Sequence, residues 1–283
     1  MIHKRKIIVF AAVCAIVCSF LYAAFYNRLT VTEYRIGTDK LDGPVRIAFL
    51  ADLHSDVYGA RQEGLIARIT EQNPDLILMS GDIADDVIPL DGVTELLAGI
   101  ANRFGCYYVT GNHEFWSGQA GAIKDIFREY GVHVLEGGHA AASVRGQLIN
   151  ICGVDDPYIG EAAFKRQLDG AFDDIDGKLY TILLSHRPER FEQESAYKCD
   201  LILAGHAHGG QMRVPFINGG LYAPDQGFFP KYTGGVYAVN ATRMVVSRGL
   251  SRGSTRIPRV FNPPELIVIE LYNKSFNKSN EKG

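Results

Sequence analysis

The chain opens on one long block of apolar positions and then changes rhythm. Residues 7–26 contain no charged side chain, and about 20 residues make roughly 30 Å of helix, the thickness of a bilayer's hydrocarbon core. The block predicts a membrane-crossing helix over 7–26. From residue 45 the apolar runs shorten to strand length, at 45–51, 75–79, 106–109, 178–184, 200–203 and 265–270, each bounded by polar residues, glycine or proline. Between and after the first three lie stretches of helical spacing, with Leu65, Ile66 and Ile69 marking the first, which predict helices over 61–71, 91–102 and 119–130. Strands alternating with helices read as a parallel sheet with crossover connections. Past Gly131 the texture shifts: short segments at 132–135, 142–144 and 147–151 sit between glycines, as expected of a second sheet with tight turns, and a helix over 161–168 follows. Two packed sheets with helices outside them, an α/β fold, is the architecture this pattern predicts. Residues 27–44, polar and carrying Gly37 and Gly43-Pro44, read as a juxtamembrane connector, 45–272 as the folded domain, and 273–283 as a polar tail.

Charge changes the picture at the first segment. Lys4-Arg5-Lys6 precede the apolar block and only Arg28 closely follows it. The positive-inside rule then makes 1–6 a cytoplasmic basic segment and puts the domain outside the cytoplasm, a single-pass arrangement at the cell membrane. A cleaved signal peptide is the competing reading. The apolar block is longer than the about 7–15 residues of a signal core, and no Ala-x-Ala site stands near Ala23-Ala24, which favours a retained anchor. The formal net charge of −3 argues against a dedicated nucleic-acid binder. Five cysteines make no disulfide framework: Cys14 and Cys18 lie in the apolar block, and Cys106, Cys152 and Cys199 lie in or beside apolar runs where packing is their role.

The chemistry gathers where the strands end. Asp52 and His54 follow the first run, Asp82 the second, Asn112 the third, His186 the run at 178–184, and His206 and His208 the run at 200–203, within Gly205-His206-Ala207-His208-Gly209-Gly210. In open α/β sheets the ligand crevice lies beyond the carboxyl ends of the strands. Oxygen and imidazole donors without a thiolate suit borderline divalent ions such as Mn, Fe or Zn. Seven donors are too many for one such ion and about right for two sharing one, and Asp82 is the natural bridge because it has donors on either side in the strand order. Two metals roughly 3.5–4 Å apart stabilise the attacking and leaving oxygens of an in-line displacement at phosphorus, and acidify water into a nucleophile. Asp52 and Asp82 could instead cap following helices, but capping leaves unexplained why both share an edge with histidines.

Taken in order, Asp52-Leu53-His54, Gly81-Asp82-Ile83-Ala84-Asp85, Gly111-Asn112-His113-Glu114, His186 and Gly205-His206-Ala207-His208 resemble the motif series of the calcineurin-like metallophosphoesterases, over residues 45–271. The resemblance implies a four-layer αββα sandwich of two mixed sheets flanked by helices. It further implies one metal held by Asp52, His54, Asp82 and His208, and another by Asp82, Asn112, His186 and His206. His113 is then no ligand but the catalytic residue, protonating the leaving oxygen or steadying the phosphoryl group. Asp85 reads as orienting His113 or bracing its loop, and the role of Glu114 stays open. The wider sequence is similar to a bacterial membrane-associated or exported branch of the family, some members of which cleave the pyrophosphate of a nucleotide-linked lipid A precursor. That reaction belongs on the cytoplasmic side, whereas the anchor predicts the opposite face.

The expected activity is hydrolysis of a phosphomonoester, phosphodiester or pyrophosphate, with a lipid-linked substrate as the finer alternative. A non-catalytic lipid- or partner-binding scaffold is the rival from another class; it would be expected to have lost ligand residues, and none is missing. A serine triad lacks its Gly-x-Ser-x-Gly elbow. His3, His133 and His139 fall outside every motif and read as surface residues. Between 213 and 259 stand Arg213, Lys231, Arg243, Arg248, Arg252, Arg256 and Arg259 against a single acid, Asp225. They read either as solvated surface or, around the glycines beside Arg248 and Arg252, as a loop meeting phosphate or anionic lipid head groups. Tyr222, Phe228, Phe229 and Tyr232 either wall a pocket for an apolar substrate part or pack as core or lid.

Overall fold

The computed structural model describes residues 2–215, 219–253 and 257–275. The apolar block forms helix α1 (Ile2–Ala24), exposed along nearly its whole length and apolar and long enough over His3–Ala24 to cross a membrane. Its last turn meets the domain. Ala24 is buried, its carbonyl accepts the N–H of Phe261 at 2.7 Å, and the Phe20 and Phe261 rings meet edge-on at 5.4 Å.

The strands in chain order are β1 (Thr30–Thr38), β2 (Val45–Leu50), β3 (Leu76–Ser80), β4 (Gly105–Val109), β5 (His133–Val134), β6 (Gly138–Val144) and β7 (Gln147–Gly153). They continue with β8 (Tyr180–Leu184), β9 (Leu201–Ala204), β10 (Tyr222–Ala223), β11 (Gly227–Phe228), β12 (Gly235–Val239), β13 (Thr242–Val246) and β14 (Glu265–Asn273). Among the described residues these form two mixed six-stranded sheets, ordered β1-β14-β2-β3-β4-β5 and β12-β13-β9-β8-β7-β6, and a β10-β11 hairpin. Helices α2 (Glu63–Glu71), α3 (Asp91–Ile100), α4 (Asn112–Trp116) and α5 (Ala120–Glu129) belong to the first half, and α6 (Glu161–Ala171) and α7 (Phe191–Glu194) to the second.

Strand periodicity explains the layering. In β2, Ile47 and Phe49 face a central core shared with Ile149, Ile151, Ile182, Leu184, Leu201 and Leu203 of the other sheet. Ala48 and Leu50, one residue out of phase, face Leu65, Ile69, Leu96, Leu97 and Phe127 of the helices. On the far side, Leu183, Ile202 and Met244 pack against Phe164, Leu168 and Phe191. Sheets covered on both faces demand continuous apolar runs, which is why the central strands stand out in the sequence. The result is the four-layer αββα sandwich.

Two segments differ from expectation. The connector at 27–44 contains β1, which pairs in parallel with β14 from Thr30↔Glu265 to Thr38↔Asn273; as an edge strand whose residues alternate between half-buried and exposed over most of its length, it lacks a buried strand's apolar run. Segment 132–135, expected in the second sheet, supplies β5 to the first, parallel to β4 (Tyr107↔His133). Gly131, at φ +85°, ends the preceding helix rather than marking a border between sheets. The first sheet is mixed, as the family resemblance implies and unlike the purely parallel sheet that strand–helix alternation suggests, because β14 returns antiparallel to β2. All five cysteines are free, and Cys106, Cys152 and Cys199 are buried as packing residues.

Candidate metal centre

Strands β2, β3 and β4 are parallel neighbours in one sheet, as are β8 and β9 in the other. Their carboxyl ends therefore meet at one edge of the sandwich, where Ser80 Oγ lies 2.8 Å from the Leu203 carbonyl across the sheets. The chain leaves these strands in an unusual conformation. Asp52, His54, Asp82, His206 and His208 all have φ between 45° and 65°, a left-handed region that costs a non-glycine residue on the order of 1–3 kcal/mol and clusters at functional sites. Backbone bonds between the loops hold the strain: Asp52 N–H to the Gly81 carbonyl (3.1 Å), His54 N–H to Asp82 (2.9 Å) and Ser55 N–H to Ile83 (3.0 Å). Two glycines permit the close approach. A Cβ on Gly111 would run into the Asp82 carboxylate, and one on Gly205 would lie 2.7 Å from Asp52 Oδ2.

Six of the seven strand-end donors fall into two tight groups. Asp52, His54 and His208 each offer a ligand atom within 4.8 Å of the others, as do Asp82, His186 and His206. Asp82 Oδ2 links the two groups, 3.8 Å from His54 Nε2 and 3.1 Å from His186 Nε2, the latter without the alignment of a hydrogen bond. Asn112 precedes His113, whose N–H donates to Asp82 Oδ1 at 2.8 Å. Among the described residues, Asp52 Oδ2, His54 Nε2, Asp82 Oδ2, Asn112 Oδ1 and His186 Nε2 are buried without a hydrogen-bond partner. Five unsatisfied donor and acceptor atoms in one pocket would be a heavy penalty in an ordinary core. Divalent cations are the chemistry that fits them, because every one is a metal-ligand atom.

The ring orientations agree. His54 Nδ1 lies 3.1 Å from Asp85 Oδ2, His186 Nδ1 2.9 Å from the Ser80 carbonyl, and His206 Nε2 2.8 Å from Asp225 Oδ2. An acceptor on one nitrogen puts the proton there and leaves the lone pair on the other, the usual support of a metal-binding histidine. Charge shows what a cation would replace. Burial would raise the pKa of Asp82, but the charge of the neighbouring imidazoles, His186 first, overrides it and holds the carboxyl well below its ordinary range. Against burial, the carboxylates around those rings raise His54 and lift His186 to about 10, so a cation at this edge takes the place of protons on them. Burial, His54 and Arg259 push His208 well below the ordinary imidazole value, which favours the uncharged ring that a metal ligand requires.

Around the donors the structure assigns positions that sequence alone leaves open. Asp85 orients His54 and accepts the N–H groups of Val87 and Ile88 at 2.9 Å each; it does not hold His113, which lies 3.7 Å away. Asp86 does that, with Oδ1 2.6 Å from His113 Nδ1. Glu114, fully buried, accepts the backbone N–H groups of Asp82, Ala84 and Gly111 at 3.0, 2.9 and 2.8 Å. Asp225, bound to His206 and also to Arg187 Nη1 at 2.5 Å, is the acid that stood alone in a basic stretch, and that isolation was its signal. The basic run disperses. Arg248 pairs with Glu265, Arg252 with Asp56 and Lys231 with Glu192, Arg256 lies outside the described residues, and Arg259 approaches the centre, with Gly249 wedged between it and Asp52. Tyr232 is core, whereas Phe228 and Phe229 are exposed. His133 and His139 are exposed.

Comparison with known proteins points the same way. Residues 45–210 match the family model described as calcineurin-like phosphoesterase. An uncharacterized metallophosphoesterase of Bacillus subtilis, YkuE, is 31% identical over 256 residues, covering 87% of this chain and 86% of that protein. An uncharacterized metallophosphoesterase of Aquifex aeolicus is 30% identical over 254 residues, covering 87% and 93%. The phosphopantetheinyl hydrolase PptH of Mycobacterium tuberculosis shares the fold at a TM-score of 0.50 and 14% identity, covering 75% of this chain and 91% of that one.

Proposed function

The chain belongs to the calcineurin-like phosphoesterase family and is a metal-dependent phosphoester hydrolase, and from that premise we propose a membrane-anchored enzyme with a dinuclear centre of Mn, Zn or Fe. Asp52, His54, Asp82 and His208 would hold one cation, and Asp82, Asn112, His186 and His206 the other. The observation that carries this reading is the set of five buried ligand atoms without a hydrogen-bond partner among the described residues. When bound, such a pair of cations polarises the phosphoryl oxygens and brings the pKa of water towards neutrality.

The chain's own residues do the rest. His113 stands at the rim of the centre, its ring 4.3 Å from that of His54 and edge-on to it, where an imidazole can donate a proton to the leaving oxygen. Asp86 fixes that ring through Nδ1, which leaves Nε2 as the atom that meets substrate. Asp85, Glu114 and Asp225 orient donors rather than touch substrate.

The anchor is α1, retained, with residues 1–6 cytoplasmic and the domain outside. Support comes from its unpacked apolar surface and the basic residues before it. A lipid-linked phosphoester or pyrophosphate is the substrate class this arrangement favours. A cavity of about 390 Å³ is lined by His54, Asp56, Ile88, Ser251, Arg252, Gly253 and also by Asn27, only three residues beyond the end of α1. A substrate held there is within roughly 10 Å of chain from the membrane end of the helix. The test is a screen of purified full-length protein, loaded with each metal, against mono-, di- and pyrophosphate esters, soluble and lipid-linked. Hydrolysis should require metal and should fall with Asp82→Asn together with metal content; full activity in a thoroughly chelated sample would sink the reading.

A further inference from the structure

The surface beside the metal centre carries large apolar side chains that the fold leaves uncovered. Phe229 is 81% exposed, Phe228 70%, Val214 60% and Leu221 38%. Isolated exposures of this kind are ordinary, whereas a contiguous group marks an interaction surface. Backbone bonds tie together the segments that carry them. Arg213 N–H donates to the Val260 carbonyl at 2.9 Å, Leu221 N–H to Met212 at 2.8 Å, and Phe229 N–H to Leu221 at 2.9 Å. Three bonded steps of about 4.8 Å or less put Phe229 within about 15 Å of the Val260-Phe261 strip. Val214, Leu221 and Phe229 also line one cavity of about 260 Å³.

Phe261 decides which way this surface looks. Its ring packs on Phe20 and its N–H bonds the Ala24 carbonyl. Phe20 lies one turn, roughly 6 Å, inside the end of α1. With α1 in a bilayer, Phe261 is therefore already at the depth of the interface, level with the Tyr22–Tyr26 ring pair (6.0 Å), where aromatic belts sit. Continuity with that helix commits the strip to one occupant. We propose that Val214, Leu221, Phe228 and Phe229, continuous with Phe261, form a second membrane contact that seats the mouth of the metal centre on the outer-leaflet interface and presents lipid phosphoesters to it. This rests on the anchored reading above.

The contact is wired to the donors. The turn of the β10-β11 hairpin that displays Phe228 carries Asp225, the partner of His206. Asn262, next to Phe261, donates to the carbonyls of His208 at 2.7 Å and Gln211 at 3.1 Å. The one loop that bears the last two histidines is thus braced twice from elements that meet the bilayer.

The chain has one tryptophan, Trp116, so Trp116→Phe supplies a dark background. Into it go single tryptophans at Phe10 in α1, at Phe228, at Phe229, and at Leu148, an exposed residue at the opposite end of the strands. The full-length proteins are placed in nanodiscs of phosphatidylcholine and phosphatidylglycerol, with and without lipids brominated near the head-group end of the acyl chain. Emission at 10, 228 and 229 should fall by about half or more, as expected of side chains in the interface or below it, and emission at 148 should not change. Unquenched emission at 10 removes the anchor and the seat together. Quenching at 10 with 228 and 229 behaving like 148 removes the seat alone. A blue shift at 228 and 229 without quenching marks a protein contact and overturns the bilayer assignment. In the same nanodiscs the double variant Phe228→Asp, Phe229→Asp should lower the ratio of lipid-ester to soluble aryl-ester hydrolysis by about tenfold; an unchanged ratio overturns the presenting role.

Discussion

The carboxylate of Glu114 accepts the backbone N–H of Asp82 at 3.0 Å, so the residue that links the two donor groups is held by a side chain that touches neither. Glu114 spends its other contacts on Ala84 and Gly111, tying the ends of β3 and β4 into one unit. Glu114→Gln keeps the volume but turns an amide donor towards N–H groups that need an acceptor. Removing such outer support costs about 10–100-fold in metal affinity or activity. We expect a loss of that size in turnover, with reduced metal content by elemental analysis and a cooperative thermal transition retained.

His113 and Asp86 separate chemistry from metal holding. His113→Ala should lower turnover by about 10²–10⁴-fold, the range of a lost general acid, while the metal content stays at the wild-type value. Asp86→Asn, which keeps the contact with His113 Nδ1 but not its charge, should cost about tenfold. If His113→Ala loses metal in proportion to activity, His113 is a ligand and the assignment of roles is wrong.

Metal should also stabilise the fold, a readout independent of turnover. Asp52 and Asp82 are fully buried carboxylates among imidazoles, and the Oδ2 atom of each has no hydrogen-bond partner among the described residues. Ligands that bind only the folded state add about 2.7 kcal/mol at a free concentration of about 100 Kd. Thermal melts of the purified protein should rise on adding Mn or Zn, fall with a chelator, and respond weakly in Asp82→Asn. A melting temperature indifferent to metal in the wild type would contradict the centre.

What could be read from the sequence, and what could not, follows from where each interaction lies along the chain. The strand-end donors are legible because each follows a run buried on both faces, as Asp82 follows Leu76–Ser80, and a buried run ending in a ligand type is a local pattern. Strand β1 is not, because its edge position lets Glu33 and Arg35 alternate with partly buried residues and disguises it as connector. The choice between Asp85 and Asp86 as the partner of His113 turns on side-chain direction at adjacent positions, which no spacing encodes. Asp225 reaches His206 across 19 positions and Glu114 reaches Asp82 across 32; such pairings exist only once the sheets have brought the loops together.

Glu194 provides a test of the fold that bypasses the metal centre. It lies at the end of α7, fully buried, with Ser185 Oγ donating to its Oε1 at 2.5 Å and its Oε2 without a partner among the described residues. Burial pushes its pKa up to about 8 from an ordinary value of 4.5, with the Ser185 bond acting in the opposite direction. The sign follows from linkage: a carboxyl that folds in its neutral form contributes its full stability below about pH 4.5, and that contribution is lost progressively as the pH rises to about 8. Glu194→Gln removes the charge that the fold resists. Its stability relative to wild type should therefore climb between pH 5 and pH 8 in denaturant titrations at fixed metal, by on the order of 1 kcal/mol or more, and level off above. A difference between the two proteins that is flat across this window would mean that the carboxylate is already ionised inside the fold, solvated by a path the packing around α7 does not show.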